Sequence, residues 1–281
     1  VRRPGGCGAS KENMKNIFTQ ELQELKAKNL YRKLRVLEEH EGTRAVFEGR
    51  KILLFCGNDY LGMSRHPRVI QAAHKALDQY GVGARSARLI AGTTAAHISL
   101  EKKIAEFKNK EAALVFAAGF LTNLGILTTF ARKGDVVIMD KLCHASLIDG
   151  ARLSGAEIRV FPHKNYEKCE EILKKCTAHR KLLVTENVFG MDGDRADLEK
   201  LIRLKRKYGA LLVVDDAHGT GVFGKEGPGA TARFSGGIDL VMGTLSKGIG
   251  GLGGFVAADK ELIDYLINFA RPFIFATALP P

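Results

Sequence analysis

From Glu111 onward the chain repeats one pattern. Short apolar runs, Ala112–Phe116, Val136–Met139, Ile158–Phe161, Leu182–Thr185, Leu211–Val214 and Leu240–Gly243, alternate with stretches long enough for helices. Runs that are apolar on both faces are buried on both, and helix-length connections fit parallel neighbours. The pattern predicts an α/β fold, a mostly parallel sheet with helices on both faces. Upstream, Ile17, Leu22, Leu25, Leu30, Leu34 and Leu37 recur at near-helical spacing and predict an amphipathic helix. Ala45–Phe47 and Lys51–Phe55 then read as a hairpin around Glu48-Gly49-Arg50. His66-Pro67 opens a helix reaching Tyr80, since proline is tolerated at the first helical position. A glycine-rich crossing over residues 81–94 leads to a helix carrying Leu100, Ile104 and Phe107.

This pattern divides the chain into a flexible tail over residues 1–13, an N-terminal helix and hairpin segment over 14–55, and a large domain over 56–270. Residues 271–281 begin a further segment. The 281 residues are 45% hydrophobic and 26% charged, ordinary for a globular protein. No run approaches the roughly 18 apolar residues of a membrane span. The basic start Val1-Arg-Arg-Pro leads into no apolar stretch, so no secretory signal is expected and the location reads as cytoplasmic. Residues before Met14 are either tail or sequence upstream of a natural start.

The formal charge of +12 comes from 43 Lys and Arg against 31 Asp and Glu. The basic residues are dispersed and lack interleaved aromatics, so a solvated basic surface is preferred over nucleic-acid binding. Attraction for an anionic substrate is also compatible with it. The five cysteines form no C-x-x-C pair, which suggests neither a disulfide framework nor a metal site. Cys143 beside His144 could suggest a thiol nucleophile, but adjacent residues of an element point apart.

Ligands of such sheets bind beyond the carboxyl ends of the strands. The polar residues there are Gly119, His144, Glu186, Asp215 and Thr244–Lys247. Asp215 ends an apolar strand, with His218 following; its alternatives are a helix cap or a structural ion pair. Lys247 follows a strand end among hydroxyl and glycine residues, and a desolvated lysine becomes a nucleophile toward carbonyls. Thr244 and Ser246 could hold a phosphate with nearby N–H groups. The competing reading of Gly248–Gly254 is a dinucleotide loop, but a strand-like Phe255–Ala258 follows it where a nucleotide fingerprint needs a helix. Gly119 at a helix start makes either a phosphate cradle or a plain helix entry, and His144 is either structural or a ring-stacking face. Together these residues describe an electron sink: an aldehyde cofactor, pyridoxal 5′-phosphate, carried on Lys247, with Asp215 keeping its ring nitrogen protonated.

Five ordered segments are more specific. Asn58-Asp-Tyr-Leu-Gly62, Asp140-x-x-x-His-Ala-Ser146, Glu186-x-x-Phe-x-Met-Asp-Gly-Asp194, Val214-Asp-Asp-Ala-His-Gly-Thr-Gly221 and Gly243-Thr-Leu-Ser-Lys247 resemble the α-oxoamine synthases. These are fold-type I pyridoxal-phosphate enzymes that condense an amino acid with an acyl-thioester and release CO2. The resemblance implies that Lys247 bears the cofactor and later acts as the α-proton base, that Asp215 pairs with the pyridinium, and that His218 donates to the ring hydroxyl. It further implies that His144 stacks on the ring, that Thr244, Gly119 and Phe120 contact the phosphate, and that Asn58 contacts substrate. Thr277 matches a phosphate contact made across a dimer interface, implying a homodimer with shared sites. The segments Gly250–Val256 and Arg271–Pro281 look most like the members using L-alanine and a pimeloyl-thioester. Glycine or serine with acetyl-, succinyl- or palmitoyl-thioesters are the alternatives. An inactive dimerisation subunit is the reading from another class, and the joint presence of Lys247, Asp215 and His144 argues against it. Two departures stand out: Gly190 occupies a position where the family usually has serine, and family members continue past Pro281 into a small C-terminal domain missing from this chain.

Overall fold

The computed structural model describes residues 11–281, with side chains from Met14. They form two compact units, one ending at Cys56 and one running from Gly57 to Pro281. The tail expected over residues 1–13 lies, for residues 1–10, outside the described residues.

The first unit holds helix α1 (Lys11–Ala27) and an antiparallel sheet of β1 (Glu39–Glu41), β2 (Arg44–Phe47) and β3 (Arg50–Leu53). The helix is shorter than the apolar spacing suggested: Leu30, Leu34 and Leu37 lie beyond its end. Asn29 takes a left-handed conformation, φ 54°, and the Leu30 N–H closes back onto the Leu25 carbonyl at 2.8 Å. That is the geometry of a helix stop, which asparagine adopts more readily than most residues. Between β2 and β3, Glu48 and Gly49 both have positive φ, the requirement of a tight two-residue hairpin turn.

The second unit opens with α2 (Pro67–Tyr80), begun by Pro67 and capped by the His66 side chain, and α3 (Ala95–Lys108). Seven strands follow: β4 (Ala112–Phe116), β5 (Val136–Asp140), β6 (Glu157–Phe161), β7 (Lys181–Glu186), β8 (Leu211–Asp215), β9 (Leu240–Thr244) and β10 (Gly254–Ala258). Their order in the sheet is β4-β10-β9-β8-β7-β5-β6. All pairings are parallel except those of β10, which runs antiparallel to both neighbours. The connecting helices are α4 (Gly119–Phe130), α5 (Ala145–Ser154), α6 (Tyr166–Lys174), α7 (Leu198–Tyr208), α8 (Lys260–Phe269) and α9 (Arg271–Ile274).

Alternation along each strand divides the core. Val137, Met139, Leu182, Val184, Val213 and Met242 pack with α4, α5, α8 and α9 on one face. Val136, Ile138, Leu183, Leu212, Val214 and Val241 pack with α6 and α7 on the other, and α3 covers Val115 and Phe255. Burial on two faces excludes water from the inner strands, whereas the edge strand β6 is partly exposed, so the inner strands end as a rigid row of anchor points.

Candidate active site

The carboxyl ends of β7, β8 and β9 and the first turns of α4 and α5 enclose a cavity of about 160 Å³. Gly119, Phe120, His144, Asp215, His218, Thr244, Ser246 and Lys247 all line it. Asn58 and Thr277 do not. Asn58 accepts a hydrogen bond from the Tyr60 hydroxyl at 3.2 Å, and Thr277 is exposed, bridged to Ala87.

Asp215 is buried at the end of β8. Its Oδ2 accepts from Asn123 Nδ2 at 2.7 Å and its Oδ1 from the Ala217 N–H at 2.9 Å. The same Asn123 amide donates to Ser146 Oγ at 2.9 Å, and that hydroxyl lies 2.8 Å from His144 Nδ1. A polar chain therefore ties the carboxylate to the imidazole. Asn123 Oδ1 is buried and finds no partner among the described residues. Glu186, ending the neighbouring strand β7, accepts from the His144 N–H at 2.6 Å. Burial, and next the Asp215 charge, push its carboxyl up to about 8.

Lys247 sits beyond the end of β9, half-buried, its Nζ 2.8 Å from His218 Nε2. Burial lowers the pKa of its ammonium, although Asp215 and Glu186 pull the other way. His218 is also held below its ordinary value, first by burial and then by the Lys247 charge. On the far side of the imidazole, Nδ1 lies 2.6 Å from the Tyr60 hydroxyl. Thr244 Oγ1 donates to the Gly253 carbonyl at 2.8 Å and accepts from the Ser246 N–H at 3.2 Å. Cys143 points the other way, into the core, where burial holds its thiol well above the ordinary range. It is no nucleophile here.

A lysine amine of weakened basicity, a fixed carboxylate and a bare helix N-terminus on one cavity wall suit covalent capture of an anionic carbonyl compound. Asn123, Ser146 and Tyr60 belong to the arrangement and had been given no role of their own, whereas Glu186 is one of the strand-end polar residues expected there. Asn123 carried a usable signal: it lies four residues after Gly119, on the same helix face.

The sequence profile described as "Aminotransferase class I and II" matches residues 50–281. An 8-amino-7-oxononanoate synthase of Geobacter sulfurreducens is 49% identical over 271 residues, which are 95% of this chain and 69% of that protein. One from Geotalea daltonii is 46% identical over 94% of this chain and 68% of its own length. Among solved structures, a serine palmitoyltransferase of S. paucimobilis with PLP and myriocin bound superimposes with a TM-score of 0.88. It is 35% identical, covering 97% of this chain and 70% of that one.

Proposed function

The chain belongs to the aminotransferase class I and II family, and from that premise we propose that it joins L-alanine to a pimeloyl-thioester with loss of CO2. The product is 8-amino-7-oxononanoate, on the way to biotin. The observation that carries this reading is the 46 to 49% identity to several 8-amino-7-oxononanoate synthases across nearly the whole chain. Serine palmitoyltransferases share the fold at lower identity, 35%. Both activities are α-oxoamine condensations, so the alternatives differ in substrate and not in chemistry.

The cofactor is pyridoxal 5′-phosphate, and the cavity fits it. A Cβ at Gly119 would come within 3.1 Å of Met242 Cε and 3.5 Å of Thr244 Oγ1, so the bare glycine leaves a cradle at the start of α4. A phosphate held there would meet free N–H groups and the positive end of the helix, with the Thr244 and Ser246 hydroxyls beside it. Asp215 faces the cavity as an acceptor for a ring nitrogen, and Asn123 Oδ1 is an unused acceptor in the same wall. His144 and Phe120 offer ring faces, their centroids 6.4 Å apart.

Bound there, the cofactor supplies an electron sink for the pair left on the substrate α-carbon. Lys247 carries it and afterwards takes the α-proton at Nζ, a task suited to an amine whose charged form is disfavoured by burial. Asp215, immobilised by Asn123 and Ala217, holds the proton on the ring nitrogen. His218 donates to the ring hydroxyl, where Gly190 offers no second donor. Asn58 contacts the amino acid.

Thr277 serves the phosphate of a neighbouring subunit, which makes the enzyme a homodimer with shared sites. Its exposure, together with that of Val82 (86%), Ile90 (82%) and Phe275 (70%), supports a covered face. The enzyme acts in the cytoplasm, and no helix among the described residues is long and apolar enough to cross a membrane. The test pairs L-alanine, glycine and L-serine with pimeloyl-, acetyl-, succinyl- and palmitoyl-CoA. The highest kcat/KM is expected for alanine with pimeloyl-CoA; preference for serine with palmitoyl-CoA would move the chain to the other substrate class.

A further inference from the structure

We propose that Tyr60 and His218 form a proton relay that deprotonates Lys247 for cofactor capture, with Tyr60 as the positioning residue, and that Gly190 is what admits it. The inference rests on Lys247 being the amine that carries the cofactor.

The hydrogen bonds define a direction. An ammonium has donors only, so with Lys247 Nζ 2.8 Å away, His218 Nε2 must be the acceptor. A neutral imidazole that accepts at Nε2 carries its proton on Nδ1, and that atom faces Tyr60 Oη at 2.6 Å. Tyr60 accepts there and turns its own hydroxyl to Asn58 Oδ1 at 3.2 Å. Every hydrogen thus points from Lys247 toward Tyr60, which is 42% exposed and meets solvent.

The same chain moves a proton outward. One N–H bond of the Lys247 ammonium breaks and one forms at His218 Nε2. The Nδ1 proton passes to Tyr60 Oη as the tyrosine's hydroxyl proton leaves to water. Lys247 ends neutral and nucleophilic, one proton goes to solvent, and His218 is neutral again. It now bears its proton on Nε2, as a donor toward the site.

Gly190 makes the arrangement possible. A Cβ at this position would stand 2.8 Å from His218 Cε1 and closer still to Nε2. Neither alanine nor the serine usual in the family fits beside the ring where it lies. Other charged groups bear on the relay: Asp215 and Glu186, at the ends of β8 and β7, favour the charged form of Lys247, and His144 opposes charge on His218.

The experiment mixes the cofactor-free full chain with pyridoxal phosphate and follows the visible band across the neutral and alkaline range, then reduces with borohydride and maps the label. Tyr60→Phe should slow capture near neutral pH on the order of tenfold, with the deficit closing at alkaline pH where Lys247 loses its proton unaided. Gly190→Ala, which displaces the ring, should show the same profile, and the double variant should be no slower than either single one. In the ¹⁵N spectrum of the cofactor-free chain, His218 should carry its proton on Nδ1. A Tyr60→Phe profile equal to wild type, or a deficit equal at every pH, overturns the relay, as does an Nε2-protonated His218. If the label maps away from Lys247, the underlying assignment has failed; if it maps to Lys247 and the profile is unmoved, the relay alone has failed.

Discussion

Two consecutive carboxylates at the end of β8 each act on a lysine, one fully buried and one half-buried, and the two lysines differ in what is left over. Asp216 meets Lys108, whose ammonium gives hydrogen bonds to Asp216 Oδ2 at 2.9 Å, Thr220 Oγ1 at 2.8 Å and the Pro228 carbonyl at 2.8 Å. Both side chains are fully buried, and Asn187 and Thr231 complete the carboxylate. Asp215 faces the cavity, where half-buried Lys247 has one hydrogen bond among the described residues, to His218. Burial lowers the pKa of both lysines. Desolvation alone therefore does not mark a reactive amine. What separates them is hydrogen-bonding capacity: Lys108 has spent all three donors on the protein, whereas Lys247 keeps donors and space for a ligand.

Substitutions at the two lysines should accordingly divide activity from stability. Lys247→Ala is expected to lower kcat/KM on the order of 10⁴-fold while leaving the unfolding free energy within about 1 kcal/mol, since the side chain is half exposed to a cavity. Lys108→Ala should do the reverse. It strands the Asp216 charge in the core and costs about 3–5 kcal/mol of stability by urea titration, the residual folded protein still binding cofactor. Equal loss of activity in both variants at matched folded fraction would erase the distinction.

Asp215→Asn should follow in size, cutting turnover on the order of 10²-fold. It retains the volume of the side chain and one of its two acceptors, the other becoming a donor that faces the Asn123 amide or the Ala217 N–H, so activity is read at matched folded fraction; retention of full activity would remove Asp215 from the chemistry. The smallest effect concerns Glu186. Its folded-state value of about 8 lies above the ordinary 4.5. The folded chain thus keeps a proton that the unfolded chain has already lost between those values. The stability this contributes is fully present below 4.5 and is lost as pH rises through about 8. Glu186→Gln should flatten the fall in unfolding free energy over that window in the cofactor-free chain. An unchanged slope would place the Glu186 proton elsewhere.

The sheet was legible because its strands are apolar on both faces: each run expected from sequence lies within one residue of the observed strand at either end, from Ala112–Phe116 to Leu240–Thr244. Since the fold places ligands past those ends, Asp215, His144 and Lys247 could be read from position. The residues between strands were harder. Asn123 looked like one polar residue in an apolar helix, and its two hydrogen bonds depend on which strand ends lie opposite, a matter of sheet order that periodicity does not carry. Tyr60 and His218 are 158 positions apart and meet only through the tertiary fold. Lys108 lies in the last turn of α3, where a basic residue is ordinary, and nothing local marks its buried partner. The overlong first helix failed locally: leucine spacing continued past Asn29, and the backbone did not.

The central claim is that Lys247, not its fully bonded counterpart, carries the cofactor. Borohydride reduction of the chain loaded with pyridoxal phosphate, followed by peptide mapping, tests it directly. One pyridoxyl label on Lys247 and none on Lys108 is the predicted result; a label on any other lysine, with Lys247 unmodified, would contradict it.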